Sequence, residues 1–234
     1  MSLMQYLDTP KQALLPDGTL NPFGFSPPTG ADKYHGPVAE GYDAKRVNDP
    51  KWVIEQKIIT DMLSDLPAGS TILDCPVGTG RFLEFYVSKG FQFIGADLSG
   101  DMLVQSALKL VPQAQVEGWV AQSNKSNTIL PLRIKDKGVL VNGDVRQVGL
   151  PDKSVDAAVN CRISRWLSPE DNQKMFREMQ RVARKRIIWT ARVANHIHAR
   201  TVELYEAALQ PGWKISKNEA GYILDYRILM AESA

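Results

Sequence analysis

The chain has 234 residues, of which 44% are hydrophobic and 23% charged, and its 28 basic and 26 acidic side chains leave a formal net charge of +2. That length suits one large α/β domain with its own core, and the composition is that of an ordinary globular protein. The near-balance of charge gives no electrostatic case for a nucleic-acid partner, and no apolar run approaches the roughly 18 residues that a membrane span needs.

Residues 1–48 are read as an irregular N-terminal extension. Pro10, Pro16, Pro22, Pro27, Pro28 and Pro37 interrupt it, and only a short helix near Met4–Leu15 is expected. The segment carries no basic region followed by an apolar stretch, so no secretory signal is read there. Phe23, Phe25, Tyr34 and Tyr42 make it apolar enough to pack on the domain, and an irregular segment of this length is often a lid.

The domain proper is placed at 49–234. Asp49-Pro50 reads as an N-cap with proline at the first helical position, and Trp52, Ile54, Ile58, Ile59, Met62, Leu63 and Leu66 follow at helical spacing. Thr71–Asp74 is a first strand, followed by a loop holding Gly78 and Gly80. A helix is expected from Arg81 to about Lys89 and a second strand over Phe91–Asp97. Ser99 caps a third helix carrying Met102, Leu103, Ala107, Leu108 and Leu110. The polar, proline-interrupted stretch 112–137 reads as an insertion with a short hairpin. Val139–Asp144 and the almost wholly apolar Val155–Cys161 are the third and fourth strands, the latter buried on both faces. Ser168-Pro169-Glu170-Asp171 opens a helix expected to end in Arg181, Arg184, Lys185 and Arg186, where basic side chains suit the dipole. A strand over Arg186–Val193, a helix near Thr201–Leu209 and strands near 213–217 and 222–231 complete the chain.

Strands alternating with helices predict a mostly parallel sheet covered on both faces. The last two strands have only a short connection, so one of them should be antiparallel. The two cysteines, Cys75 and Cys161, have no zinc-ligand spacing, so no metal is expected. Both are placed at or near strand ends as small core residues of a reducing, cytoplasmic compartment.

In such sheets ligands bind beyond the carboxyl ends of the strands. Asp74 and the Gly78-Thr79-Gly80 turn follow the first strand, and glycine there lets a ligand approach the backbone. Asp97 ends the second strand, 23 positions after Asp74, where an acid is placed to bind ribose hydroxyls. Asp144 ends the third strand, after Gly143, and can accept from an exocyclic amine.

Ile72–Arg81 (Ile-Leu-Asp-Cys-Pro-Val-Gly-Thr-Gly-Arg) resembles the first motif of Rossmann-like, class I, S-adenosylmethionine-dependent methyltransferases of the small-molecule, type 11-like kind. Phe93–Leu103 looks like their second-strand motif, and Asn142–Val159 like the segment leading from the adenine-binding acid into the fourth strand. The resemblance covers residues 50–231 and implies a seven-stranded, mostly parallel sheet with one antiparallel strand near the C-terminus. It implies S-adenosyl-L-methionine as cofactor and S-adenosyl-L-homocysteine as product. Asp74 would contact the amino-acid end, with Gly78 and Gly80 allowing close approach. Asp97 would take the ribose, Leu98 and Met102 would pack on the adenine, and Asp144 and Val145 would bind its edge. Asn160, Cys161 and Arg162 would face the methyl group. Tyr42 would lie over the methionine end, and Arg46 could pair with its carboxylate. Pro76 stands where the family commonly has glycine. It removes an N–H and fixes φ, a local departure that leaves the two later glycines in place.

The expected chemistry is in-line methyl transfer to a small-molecule acceptor. His196 and His198 after the fifth strand are the candidate general bases, with His35 a third. Arg162, Arg165 and Trp166 are candidates to hold an anionic or aromatic acceptor. No Asn/Asp-Pro-Pro-Tyr/Phe motif follows the fourth strand, and no Pro-Cys nucleophile is present, so nucleic-acid methylation is not favoured. Two other readings stay open. One is a non-catalytic cofactor-binding subunit or scaffold. The other is an NAD(P)-dependent oxidoreductase, against which stands the missing third glycine of Gly-x-Gly-x-x-Gly.

Overall fold

The structure, a computed structural model, describes residues 33–193, 202–221 and 226–233. Eight strands form one sheet: β1 (Thr71–Asp74), β2 (Gln92–Asp97), β3 (Leu132–Ile134), β4 (Gly138–Asn142), β5 (Val155–Asn160), β6 (Ala183–Arg192), β7 (Trp213–Ala220) and β8 (Tyr226–Ser233). Their spatial order is β3-β4-β2-β1-β5-β6-β8-β7. β4, β2, β1, β5 and β6 run parallel, while β8 is antiparallel to both β6 and β7. The expected antiparallel strand near the C-terminus is therefore β8. The eighth strand is β3, which folds back on β4 as an edge hairpin and raises the count above seven.

Successive side chains of each strand point to opposite faces, and both faces are apolar. Ile72, Ala157, Val159, Ile188, Ile228 and Met230 join one core. It is covered by α2 (Pro50–Leu63), α3 (Leu83–Ser88), α4 (Gly100–Leu108) and α5 (Gln113–Ser126). The alternate residues Leu73, Ala158, Ile187, Trp189, Leu229 and Ala231 join the other, under α6 (Pro169–Val182) and α7 (Val202–Ala207). A short helix α1 (Pro37–Glu40) precedes these. Both cysteines sit one residue beyond strand ends, Cys75 after β1 and Cys161 after β5, and both are free thiols. Among the described residues no helix is long and apolar enough to cross a membrane.

Three caps act as the sequence predicts. Asp49 accepts from the Lys51 N–H, Ser99 from Met102 and Ser168 from Asp171. Three expectations need correction. The stretch 112–137 holds a fourteen-residue helix, α5, besides its hairpin. Pro112 starts this helix rather than interrupting it, and Val116, Trp119, Val120 and Ser123 form its narrow buried stripe. The helix after the glycine loop begins at Leu83, because residues 78–82 are a tight turn. The helix expected to end in four basic residues ends at Val182, and Arg184, Lys185 and Arg186 lie on β6. Arg186 is held there by Asp65 and Glu232, partners from distant parts of the chain.

Candidate active site

Strand order places four chain positions along one edge of the sheet. β2 and β4 lie on one side of β1 and β5 on the other, so β1 and β5 meet at the switch in winding direction. Neighbouring strands are about 5 Å apart. Asp144 follows β4, Asp97 ends β2, Asp74 ends β1 and Arg162 follows β5, so these side chains succeed one another along the carboxyl edge. All four line a single cleft with about 1290 Å³ of empty space, part of it open to solvent.

The glycine turn is built for close approach on one side only. Gly78 and Gly80 have φ of 56° and 74°, in the left-handed region. A Cβ at Gly78 would meet nothing within 4 Å, so this part of the turn faces open space. A Cβ at Gly80 would lie 2.6 Å from Leu83 Cδ1 and 3.0 Å from Ser106 Oγ, so Gly80 serves the packing of the turn and not the cleft wall. Gly80→Ala should therefore lower stability by about 2–4 kcal/mol, from backbone strain plus overpacking. Gly78→Ala should cost only about 1 kcal/mol, from φ alone, and should act on ligand affinity instead. Thermal melts with and without ligand separate the two, and equal loss of stability in both variants would contradict this division.

The carboxylates differ in how they are held. Asp97 accepts from the Gly78 N–H through Oδ2 and from the Ser99 N–H through Oδ1, both at 2.8 Å. Burial pushes its carboxyl up to about 6, against the pull of these backbone donors. Asp74 is only 1% exposed. Its Oδ2 accepts from the Tyr86 hydroxyl at 3.2 Å, while its Oδ1 is buried with no partner among the described residues. Burial, reinforced by nearby Asp97, pushes Asp74 up to about 8, so it is largely protonated at neutral pH. Asp144 is gripped by the Arg146 guanidinium, with Nη2 donating to Oδ2 at 2.6 Å, and Arg146 reaches on to Asp171 at 3.1 Å.

Leu98, Met102, Val145, Pro76, Tyr42, Cys161, Arg162 and Trp166 also line the cleft. Three predicted residues do not. Asn160 is buried behind it, donating to the Cys75 carbonyl at 2.9 Å and so tying the ends of β5 and β1 together. Arg46 stacks on the Tyr42 ring, its Cζ 3.6 Å from the centroid. Gly80 shapes the turn. His196, His198 and the side chain of Arg165 lie outside the described residues. His35 is described and contacts Asp101, at 3.5 Å.

The residues around 34–46 strap onto the loop after β1 and the start of α4. Ser99 Oγ donates to the Tyr34 carbonyl, the Gly36 N–H donates to Asp101, and Thr79 donates to Asp43. This seats Tyr34 and Tyr42 on the cleft wall.

Sequence reading missed a buried ionic cluster. Glu55 Oε2 accepts from Arg81 Nη1 and from Arg162 Nε, each at 2.7 Å. Arg81 also donates to Gln56 and to the Trp52 carbonyl, and its guanidinium lies 3.9 Å from the Trp52 ring centroid. The signal was available: Glu55 is a charged residue four positions before buried Ile59, on the inward face of α2. Trp52, Arg81 and Phe82 all line the cleft.

Residues 73–186 match the model of a family described as a methyltransferase domain. Among solved structures, the chain is similar to magnesium protoporphyrin IX methyltransferase from Synechocystis PCC 6803 with bound SAH. The TM-score is 0.65 at 14% identity, covering 88% of this chain and 98% of that one. It is similar to the PH0226 protein from Pyrococcus horikoshii OT3, with a TM-score of 0.59 at 16% identity over 90% of this chain and all of that one. It is also similar to the [4+2]-cyclase SpnF, with a TM-score of 0.54 at 16% identity over 75% of this chain and 79% of that one. At such identities the likeness shows a shared fold. Among curated proteins none matches the chain.

Proposed function

From the match of residues 73–186 to a methyltransferase domain model, we propose that this protein transfers a methyl group from S-adenosylmethionine to a small-molecule acceptor. The observation that carries the reading is the file of strand-end acids, Asp144, Asp97 and Asp74, along one cleft behind the open side of Gly78. The cofactor fits these residues on two counts. Asp74 Oδ1 is a buried acceptor lacking a donor, which an α-ammonium would supply. Gly78 leaves the space that a ligand backbone would fill.

When bound, the cofactor supplies an activated methyl group on a sulfonium. The chain's own residues hold and orient. Asp144 and Val145, with Leu98 and Met102, would hold the adenine. Asp97 would accept from the ribose diol, using capacity left beside its two backbone donors. Asp74 and the Gly78 turn would hold the amino-acid end, with Tyr42 above it. Cys161 and Arg162 would border the methyl position. Proximity and exclusion of water then supply much of the acceleration. The small-molecule character of the acceptor draws support from the aromatic wall of the cleft and from the named activity of the Synechocystis enzyme.

Asp74 makes the reading testable by proton release. A carboxyl at about 8 in the free protein must ionise to pair with an ammonium. S-adenosylhomocysteine should therefore bind more tightly as pH rises from 6 to 8, by about three-fold or more in Kd, and binding near pH 7 should release a proton. Calorimetry in buffers of different ionisation enthalpy measures this release. Asp74→Asn should remove most of the release and of the pH dependence near pH 8, leaving the smaller part that Asp97 contributes near pH 6. Tight binding of NAD without S-adenosylhomocysteine would overturn the reading altogether.

A further inference from the structure

The far end of the cleft, beyond Asp74, carries a surplus positive charge among flat aromatic walls. We propose that the methylated group is a carboxylate on a flat, apolar acceptor, held by the two terminal nitrogens of Arg162, and that the product is a methyl ester. The inference rests on the donor site described above.

Arg162 follows β5, next to β1 in the sheet, so it stands on the side of Asp74 away from Asp97 and Asp144. Its backbone has φ of 64°, uncommon for a residue with a Cβ, and is held by its N–H donating to Thr190 Oγ1 at 2.6 Å. Such a held conformation is frequent at functional sites. The guanidinium uses Nε on Glu55 and lies 5.4 Å from the Trp52 ring centroid, while Nη1 and Nη2 make no hydrogen bond among the described residues. This leaves a planar pair of donor groups on the cleft wall, the geometry that suits a carboxylate.

Charge points the same way. One carboxylate, Glu55, serves two guanidiniums, and Arg81 is fully committed to Glu55, Gln56 and the Trp52 carbonyl. Glu55 is not part of the cleft wall, and in the loaded protein the charge of Asp74 would be met by the cofactor's ammonium. An anion entering here would offset the surplus, whereas a cationic amine would be repelled. A neutral hydroxyl acceptor would need a proton taker. Among the described residues at this end of the cleft, burial pushes the Cys161 thiol and the Tyr42 hydroxyl up, so both are already protonated. The walls are rings: Tyr34 meets Tyr42 edge-on at 5.6 Å and Trp166 at 6.4 Å, and Tyr42 meets Trp52 at 5.9 Å. They suit a flat apolar body.

The step balances without a base. A carboxylate oxygen donates a lone pair to the methyl carbon, an O–C bond forms, and the S–C bond breaks with its electron pair left on sulfur. A carboxylate and a sulfonium become a neutral ester and a neutral thioether, and no proton moves.

The test uses the full chain saturated with S-adenosylhomocysteine, whose own Kd is measured first. Matched probes then follow: trans-cinnamate against trans-cinnamamide, and 2-naphthoate against 2-naphthamide and 2-naphthylmethylamine. At least one acid should bind about ten-fold or more tightly than its amide. The better acid, supplied with S-adenosylmethionine, should yield an alkali-labile methyl ester. Arg162→Met should erase the acid preference when compared at saturation with S-adenosylhomocysteine, whose Kd is measured again for the variant. Arg162→Lys, which keeps a charge beside Glu55, should restore part of it. Amides or amine binding as well as the acids, no binding by any probe, or an acid preference surviving in a folded Arg162→Met protein would each overturn the assignment. If S-adenosylhomocysteine fails to bind, the donor reading falls. If it binds and the acids do not, only the acceptor assignment falls.

Discussion

Asp97→Ala should weaken S-adenosylhomocysteine binding by about 100-fold, close to 3 kcal/mol. Two losses combine. The ribose hydroxyls lose a charged acceptor, worth more than a neutral one. The Gly78 and Ser99 N–H groups lose the carboxylate that positions the turn and the start of α4. Asp97→Asn should be nearly as damaging for affinity, because one face of the amide carries donors where the native group only accepts. Its stability should move the other way with pH. A carboxyl raised to about 6 in the folded chain binds its proton more tightly there than when unfolded. Its favourable contribution is complete below the unfolded value near 4 and is lost as pH rises through about 6. The native protein should therefore lose stability across that window, and Asp97→Asn should lose less. Calorimetric Kd values and chemical denaturation at several pH values measure both effects. Native affinity in the alanine variant would remove Asp97 from the cofactor site.

The strands were legible because each is a short apolar run closed by a turn former or an acid, and the caps because Asp49, Ser99 and Ser168 each stand just before an amphipathic run. The acids at 74, 97 and 144 could be read for the same reason: strand order turns three separate chain positions into neighbours at one edge. α5 escaped notice because its buried stripe is four residues wide and the rest of the helix is polar. The change from α6 to β6 has no Gly or Pro to mark it, since Ala183 leaves helical φ/ψ directly. The basic residues that follow find their partners in tertiary structure, as Arg186 does between Asp65 and Glu232.

The acceptor side shows the limit most clearly. Arg162 was visible as a candidate, but not the use of its guanidinium. The cluster that sets its charge joins positions 26 and 107 residues apart, Arg81 and Arg162 on Glu55. Periodicity reports which face of an element is apolar; it carries nothing about which two loops a helix carboxylate will bridge. Likewise Gly78 and Gly80 look alike in sequence, and only the surrounding atoms separate the one facing open space from the one facing Leu83.

Glu55→Ala should be the most destabilising single change around the cleft, by about 3–5 kcal/mol, which for a chain of this size is about 6–20 °C in Tm. Its side chain is 4% exposed, Arg81 is 6% exposed, and both lie against the Trp52 ring or its helix. Removing the carboxylate leaves two guanidiniums facing each other at a buried site with no counter-charge. Arg81 has little freedom to escape to water, because its other nitrogens are held by Gln56 and the Trp52 carbonyl. Arg162 is freer, with 22% of its side chain exposed, and should swing toward the cleft. The variant should thus bind anions at the far end of the cleft, such as 2-naphthoate, at least as tightly as the native protein while melting lower. Adding Arg81→Met to Glu55→Ala should recover much of the lost stability, because the repulsion goes with it. A double variant no more stable than Glu55→Ala would show that the cost lies in the cavity left by the side chain and not in the unpaired charge.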